Sequence, residues 1–174
     1  MTTQVNLIDG DTFAPWVFTA SQLYGEAMRR PPEYVVQRRE IMQSHLHRRG
    51  FVATVAIDGE DLVGFGYGYR GRTGEWWHDI VATALGPAMT ADYLANGFEL
   101  AELHVAPARH GEGIGRTMLD ALLGAVGRRS VVLSTHDIES PARHLYRSSG
   151  FVDLLRGFVF PGSTEVYAVM GRQP

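Results

Sequence analysis

The chain contains no cysteine. Disulfides, thiolate metal ligands and a cysteine nucleophile are therefore excluded, and no acyl transfer here can pass through an acyl-cysteine. Long uninterrupted apolar runs are missing as well, which removes a membrane-spanning helix. The opening MTTQVNLIDGD lacks the basic and apolar regions of a secretory signal, so the expected compartment is cytoplasmic. Positive charge is not in excess either. A formal net charge of −3 argues against nucleic acid as a partner. The local basic run from Arg38-Arg39 to His47-Arg48-Arg49 reads as the solvated face of a helix. No repeat, low-complexity tract or linker divides the 174 residues, of which 45% are apolar. That suits one domain over 1–174 with a substantial core.

The seven histidines do not make a metal site. His45-x-His47 would point two rings to different faces of a helix, and His-Glu-x-x-His spacing is absent. No metal is expected. His136-Asp137 reads as a turn after a strand, with a secondary reading as a base.

What the chain does have is concentrated between Glu99 and Thr117, ELAELHVAPARHGEGIGRT. Leu100, Leu103 and Val105 mark a strand closed by Pro107. Gly111, Gly113 and Gly115 follow. Ile114, Met118, Leu122 and Val126 then recur at the helical period. A strand, a glycine loop and a helix N-terminus in that order make an anion site. The first amides of the helix have no internal acceptor, and the helix dipole favours negative charge. The P-loop pattern fits only at Gly115 and Thr117, since His110 and Arg116 occupy its first Gly and its Lys. The dinucleotide pattern fails too, because it needs Gly at Arg116 or Met118. A second cluster runs from Ser140 to Phe151, SPARHLYRSSGF. Ser140 suits an N-cap, Pro141 the first helical position and Gly150 the stop.

Elsewhere, Gln4–Ile8 is a short first strand. Phe13–Met28 and Tyr34–Leu46 carry helical faces that stop at Pro31-Pro32 and Gly50; Trp16 reads as core. Phe51–Ile57 and Leu62–Tyr69 are strands joined across Asp58–Asp61. The second alternates glycine with large side chains, so a helix, another backbone or a ligand could approach its bare face. Two short helical stretches lie within 71–97. Ser130–Thr135 is a buried-type strand, and 151–160 with 164–170 make a terminal hairpin. The layout is α/β.

Val105-Ala106-Pro107 followed by His110-Gly111-Glu112-Gly113-Ile114-Gly115 resembles motif A of the GNAT superfamily, the acyl-CoA-dependent N-acetyltransferases. His110 stands where that family usually has Arg or Gln. Ala142-x-x-Leu145-Tyr146-x-x-x-Gly150-Phe151 resembles motif B, with Glu139 at a position often held by Asn. The resemblance implies a three-layer fold. Its mixed, mostly antiparallel sheet would be splayed between strands 4 and 5 and flanked by helices, with 71–97 as a helical insertion between strands 3 and 4. It also implies acetyl-CoA as co-substrate and CoA as product. The acceptor would be a primary amine of a small molecule or peptide, attacking directly in a ternary complex.

By that resemblance, main-chain groups of Leu103, His104 and Val105 face pantetheine, and the segment His110, Gly111, Glu112, Gly113, Ile114, Gly115, Arg116 holds the pyrophosphate. Ser140, Arg143 and Tyr146 complete the cofactor set. The Tyr146 hydroxyl would protonate the departing thiolate. A strand-4 carboxylate, Glu102 first and Glu99 second, would be the general base. Trp76 and Trp77 in the insertion are candidate lining for the acceptor; the same insertion could instead shield a sheet face or form a homodimer contact. The alternative is a non-catalytic acyl-CoA-binding or regulatory domain of the same fold, and a third reading is a nucleotide hydrolase.

Overall fold

A computed structural model describes residues 3–174. Seven strands hydrogen-bond in the order β1-β2-β3-β4-β5-β7-β6. The ranges are β1 Gln4–Ile8, β2 Val52–Asp58, β3 Asp61–Arg70, β4 Phe98–Val105, β5 Val131–His136, β6 Val152–Phe158 and β7 Tyr167–Arg172. The helices are α1 Gly10–Phe13, α2 Val17–Met28, α3 Pro32–His45, α4 Trp76–Leu85, α5 Pro87–Tyr93, α6 Ile114–Val126 and α7 Pro141–Ser148. Pairs β1/β2, β2/β3, β5/β7 and β6/β7 are antiparallel, whereas β4/β5 is parallel. The sheet is thus mixed and mostly antiparallel, and the insertion between β3 and β4 is helical, as expected. The β4/β5 ladder spans two residue pairs, Phe98 with Val131 and Glu99 with Val132.

The residues fall into two compact units. One takes the chain up to Tyr69 together with Ala101–Ala125; the other takes Arg70–Leu100 and Val126–Pro174.

In the first unit, β3 explains the layering. Its odd positions Phe65, Tyr67 and Tyr69 are fully buried against Phe13, Val17, Leu23, Tyr24 and Met42 from α1, α2 and α3. Gly64, Gly66 and Gly68 alternate with them, and α6 and β4 approach closely at the first two. A Cβ at Gly64 would meet the Met118 thioether at 3.0 Å, and one at Gly66 would meet Leu103 Cδ1 at 2.7 Å. At Gly64 and Gly66 the bare face therefore admits a helix and the neighbouring β4 backbone. Met118, wholly buried there, contributes about 2 kcal/mol by leaving water. Gly59, with φ of 65°, turns β2 into β3 in two residues.

The helix expected from Phe13 starts earlier and in pieces. Asp9 caps α1 by accepting from Thr12 N at 2.9 Å. Pro15 then lies in a 3₁₀ turn, Ala14–Trp16, before α2 begins. Proline carries no N–H, so a continuous α ladder cannot form across it.

In the second unit, Val81, Leu94, Val132, Phe160 and Val169 form the core, with Trp77, Leu154 and Tyr167 packed against it. Ser140 caps α7 by accepting from Arg143 N at 3.2 Å. The terminal hairpin is shorter than the sequence pattern suggests. β7 starts at Tyr167, and β6 shifts register twice between Asp153 and Phe158. Gly157, at φ 64°, frees its N–H to bond Asp137 Oδ2 at 2.7 Å.

Candidate active site

The first unit contains the glycine loop in an ordered form. Ala106 N, just after β4, donates to Val63 O at 2.9 Å, and the 3₁₀ turn Pro107–Arg109 follows. Arg109 clamps the loop. It donates to Glu112 Oε2 at 2.8 Å, Asp58 Oδ2 at 2.8 Å and Thr3 Oγ1 at 2.9 Å. The Glu112 carboxyl sits below its ordinary range because of the Arg109 hydrogen bond. The His110 ring, through Nε2, donates to Val105 O at 2.9 Å. Gly111 and Gly113 have φ of 86° and 79°, and nothing lies within 4 Å of a Cβ built on either. The first bond into α6 runs from Thr117 N to Gly113 O at 3.0 Å, so the amides before it are not used by the helix ladder. Glycine at positive φ, exposed backbone and a thirteen-residue helix behind it fit a diphosphate.

The β4 side chains of this unit form a second feature. Glu102 and His104 are two apart on a strand and so share a face. Glu102 is 6% exposed and both its oxygens are engaged. Oε1 accepts from Arg38 Nη1 at 3.0 Å, and Oε2 lies 2.6 Å from His104 Nε2. Burial pushes its carboxyl up, but Arg38 and the His104 hydrogen bond outweigh that and leave it below its ordinary range. The His104 ring stands edge-on to Tyr24 at 5.4 Å and tilted against Phe65 at 5.4 Å. Arg38 lies over the Tyr24 ring at 4.8 Å. Arg38, part of the basic run read as solvated, is therefore turned inward, while Arg39 lies over the exposed Phe18 ring and Arg48 over Tyr69.

In the second unit, Tyr146 is buried on α7 and tilted against Phe151 at 5.7 Å. Arg143, expected in the cofactor set, is instead spent on the protein's own carboxylates. Its side chain is 0% exposed and donates to Asp137 Oδ1 at 2.5 Å and to Asp153 at 2.7 Å. A guanidinium bonded this way inside the protein is committed to the fold. Asp137 is likewise occupied. Its carboxyl is held low by the Gly157 N–H first, then by Arg156 and Arg143, so it supports the hairpin rather than a proton transfer. Glu139 pairs with Arg147 at 2.9 Å, and Ser140 is used by its cap.

Glu99 is also buried, and a Cβ built on Gly71 would lie 3.8 Å from its Oε2 and 3.5 Å from His78 Cδ2. The carboxylate therefore sits beside α4. The two tryptophans separate. Trp77 donates from Nε1 to Ser134 Oγ at 3.1 Å and packs on the core. Trp76 remains 58% exposed, with its ring 5.7 Å from Phe160. Among the described residues no group of three or more His, Asp or Glu could hold a metal ion, and no helix is long and apolar enough to cross a membrane.

Sequence reasoning passed over the side chains of His104 and Arg38. Strand spacing could have found the first, since Glu102 and His104 alternate onto one face. Nothing local announces the second, which lies 64 residues from Glu102.

A family model described as an acetyltransferase (GNAT) domain matches residues 47–153. A GCN5-like protein acetyltransferase of Mycobacterium tuberculosis is 30% identical, with 88% of this chain and 89% of that protein covered. Among solved structures, the PaiA N-acetyltransferase of Thermoplasma acidophilum in complex with coenzyme A is similar at a TM-score of 0.64 and 15% identity, with both chains covered in full (100%). A putative acetyltransferase of Salmonella typhimurium with acetyl-CoA is similar at a TM-score of 0.64 and 15% identity, over 99% of this chain and 94% of that one. PH1933 from Pyrococcus horikoshii reaches a TM-score of 0.69 at 19% identity, over 99% of each chain.

Proposed function

The chain belongs to the GNAT family of acetyltransferases, and from that premise we propose that it moves an acetyl group from acetyl-CoA to a primary amine. The observation that carries the reading is the open glycine turn before α6, where Gly111 and Gly113 are exposed, sit at positive φ and have open space beside their Cα atoms. The amides of 111–116 hold the diphosphate, and main-chain groups of Leu103, His104 and Val105 take the pantetheine arm. That two similar structures contain CoA or acetyl-CoA supports acetyl-CoA as co-substrate. The bound co-substrate supplies an activated thioester.

The protein's own groups then have two proton tasks. A β4 side chain accepts the proton that the amine sheds, and the Tyr146 hydroxyl gives one to the departing thiolate. A phenol of ordinary pKa near 10 is protonated at neutral pH and can do this. Trp76, exposed beside Phe160, offers a flat apolar surface to the acceptor. A peptide or protein amine is favoured over a small free amine, because the Mycobacterium tuberculosis relative is named a protein acetyltransferase.

The test is thiol release from acetyl-CoA with a panel of peptide and small amines, beside thermal shifts with acetyl-CoA and with ATP. The chain has no lysine of its own, so side-chain acetyl-lysine formed in the assay belongs to the acceptor. Tyr146→Phe should lower kcat about 100-fold with acetyl-CoA affinity unchanged. Stabilisation by acetyl-CoA without thiol release from any amine would leave a binding domain instead. Stabilisation by ATP alone would defeat the reading.

A further inference from the structure

We propose that the base on β4 is the His104 imidazole, acting through Nδ1, and that Glu102 is a positioning residue that holds the ring. The inference rests on the amine-transfer reading above and deepens it. An ionised carboxylate can only accept, so the 2.6 Å contact between Glu102 Oε2 and His104 Nε2 puts the ring proton on Nε2. The lone pair then stands on Nδ1, to which none of the described residues is hydrogen-bonded. The His104 side chain is 14% exposed, so Nδ1 belongs to a ring that is confined but not sealed in.

Glu102 cannot do the same work. Both its oxygens carry hydrogen bonds, and an ion pair with Arg38 stabilises its charged form. A carboxylate so satisfied is a weak acceptor for a proton leaving an amine. It is well suited to fixing the tautomer and aim of a neighbouring imidazole, as the third member of a triad does.

The groups facing the pair come from every element packed on it. Arg38 on α3 holds Glu102, and the Tyr24 hydroxyl on α2 accepts from Arg38 Nη2 at 3.4 Å. Phe65 on β3 brings no charge. His45 at the end of α3 is paired with Tyr67 of β3 at 3.0 Å and is neutral at physiological pH, its pKa lowered to about 4, mainly by burial. Among the described residues, the one full positive charge in direct contact with the pair is thus on the Glu102 side, away from Nδ1.

The step balances simply. As the amine nitrogen bonds to the thioester carbon, Nδ1 takes the proton that nitrogen sheds. The carbon–sulfur bond breaks, and the thiolate leaves as a thiol after receiving a proton. The imidazolium returns its proton to solvent before the next turnover.

Two substitutions and one spectroscopic signature test this. His104→Gln keeps a donor near the Nε2 position for Glu102 and removes the basic lone pair, so the fold should survive. With an alkyl amine its kcat should fall about 100-fold near neutral pH, with acetyl-CoA affinity unchanged. Its rate should keep climbing with pH as the amine itself deprotonates, and the loss should persist for an acceptor amine already neutral at the assay pH, because that nitrogen still sheds a proton as it bonds. Glu102→Gln should lose less and keep a histidine-dependent acid limb at a displaced pH. Nitrogen-15 spectra of the labelled wild-type protein should show His104 with Nε2 protonated and Nδ1 bare.

A His104→Gln protein with the wild-type rate and profile, alongside an inactive Glu102→Gln, would return the base to Glu102. A proton found on Nδ1 would equally overturn the proposal. Failure of the transfer reading looks different: wild-type protein would bind acetyl-CoA and release no thiol with any amine, whatever the ring's tautomer.

Discussion

His45 ties the stability of the first unit to pH, and its size can be worked out. The ring sits at the end of α3, 4.8 Å from the Tyr69 ring and bonded to the Tyr67 hydroxyl. Burial lowers its pKa from 6.5 to about 4, helped by Arg48 and opposed by Glu102. In the unfolded chain His45 takes up a proton as pH falls through about 6.5, while the folded chain resists until about 4. The unfolded state binds more protons across that window, so stability falls with falling pH. The contribution is whole above the upper limit and gone below the lower one. A difference of that size corresponds to about 3 kcal/mol in total, and roughly 2 kcal/mol between about pH 7 and pH 5.

Urea unfolding of the wild type and of His45→Gln at those two pH values isolates it. Glutamine keeps a partner for Tyr67 but cannot titrate. The variant should be less stable by about 1 kcal/mol near pH 7, and the gap should close or reverse near pH 5. Glu102 does not confuse the comparison. Its carboxyl is depressed, so its contribution is lost only below the ordinary carboxylate range. Equal losses in the two proteins would refute the argument.

Arg143→Met strips Asp137 and Asp153 of their buried partner and should destabilise by about 3 kcal/mol in chemical denaturation; an unchanged midpoint would show that Arg156, Arg147 and the Gly157 N–H suffice. Gly66→Ala places a methyl 2.7 Å from Leu103 Cδ1 and 3.1 Å from the Glu102 carbonyl oxygen. Because the backbone cannot yield as a side chain can, the expected cost is about 2 kcal/mol, seen as a lower thermal midpoint, and a midpoint matching the wild type would mean that β4 is not held close to this face of β3.

The features legible in the sequence were those written locally. The glycine loop and α6 could be read because the turn residues, the strand before them and the stripe Ile114, Met118, Leu122 lie within one stretch. The cap at Ser140 and the helical insertion were readable for the same reason. The alternation in β3 showed that one face was bare but not what covered it, since Met118 and Leu122 come from a segment far along the chain.

Charge was the least legible property. Arg38 and Arg143 look like surface residues beside their neighbours, and only their partners Glu102, Asp137 and Asp153, brought in by the fold, turn them inward. The same limit applies at β4. Two carboxylates drew attention as bases, although the imidazole two residues on from Glu102 is the better placed group. Ionisation depends on what surrounds a side chain, and spacing alone does not reveal that.

Arg109 reaches the segment before β1 through Thr3, the β2–β3 turn through Asp58 and the glycine loop through Glu112. A loop braced from three sides has little freedom left to lose, so little conformational entropy would be lost if a ligand docked on it. Recognition there should be fast and nearly independent of temperature-driven loosening elsewhere. The loop would owe that quality to one guanidinium shared among three segments.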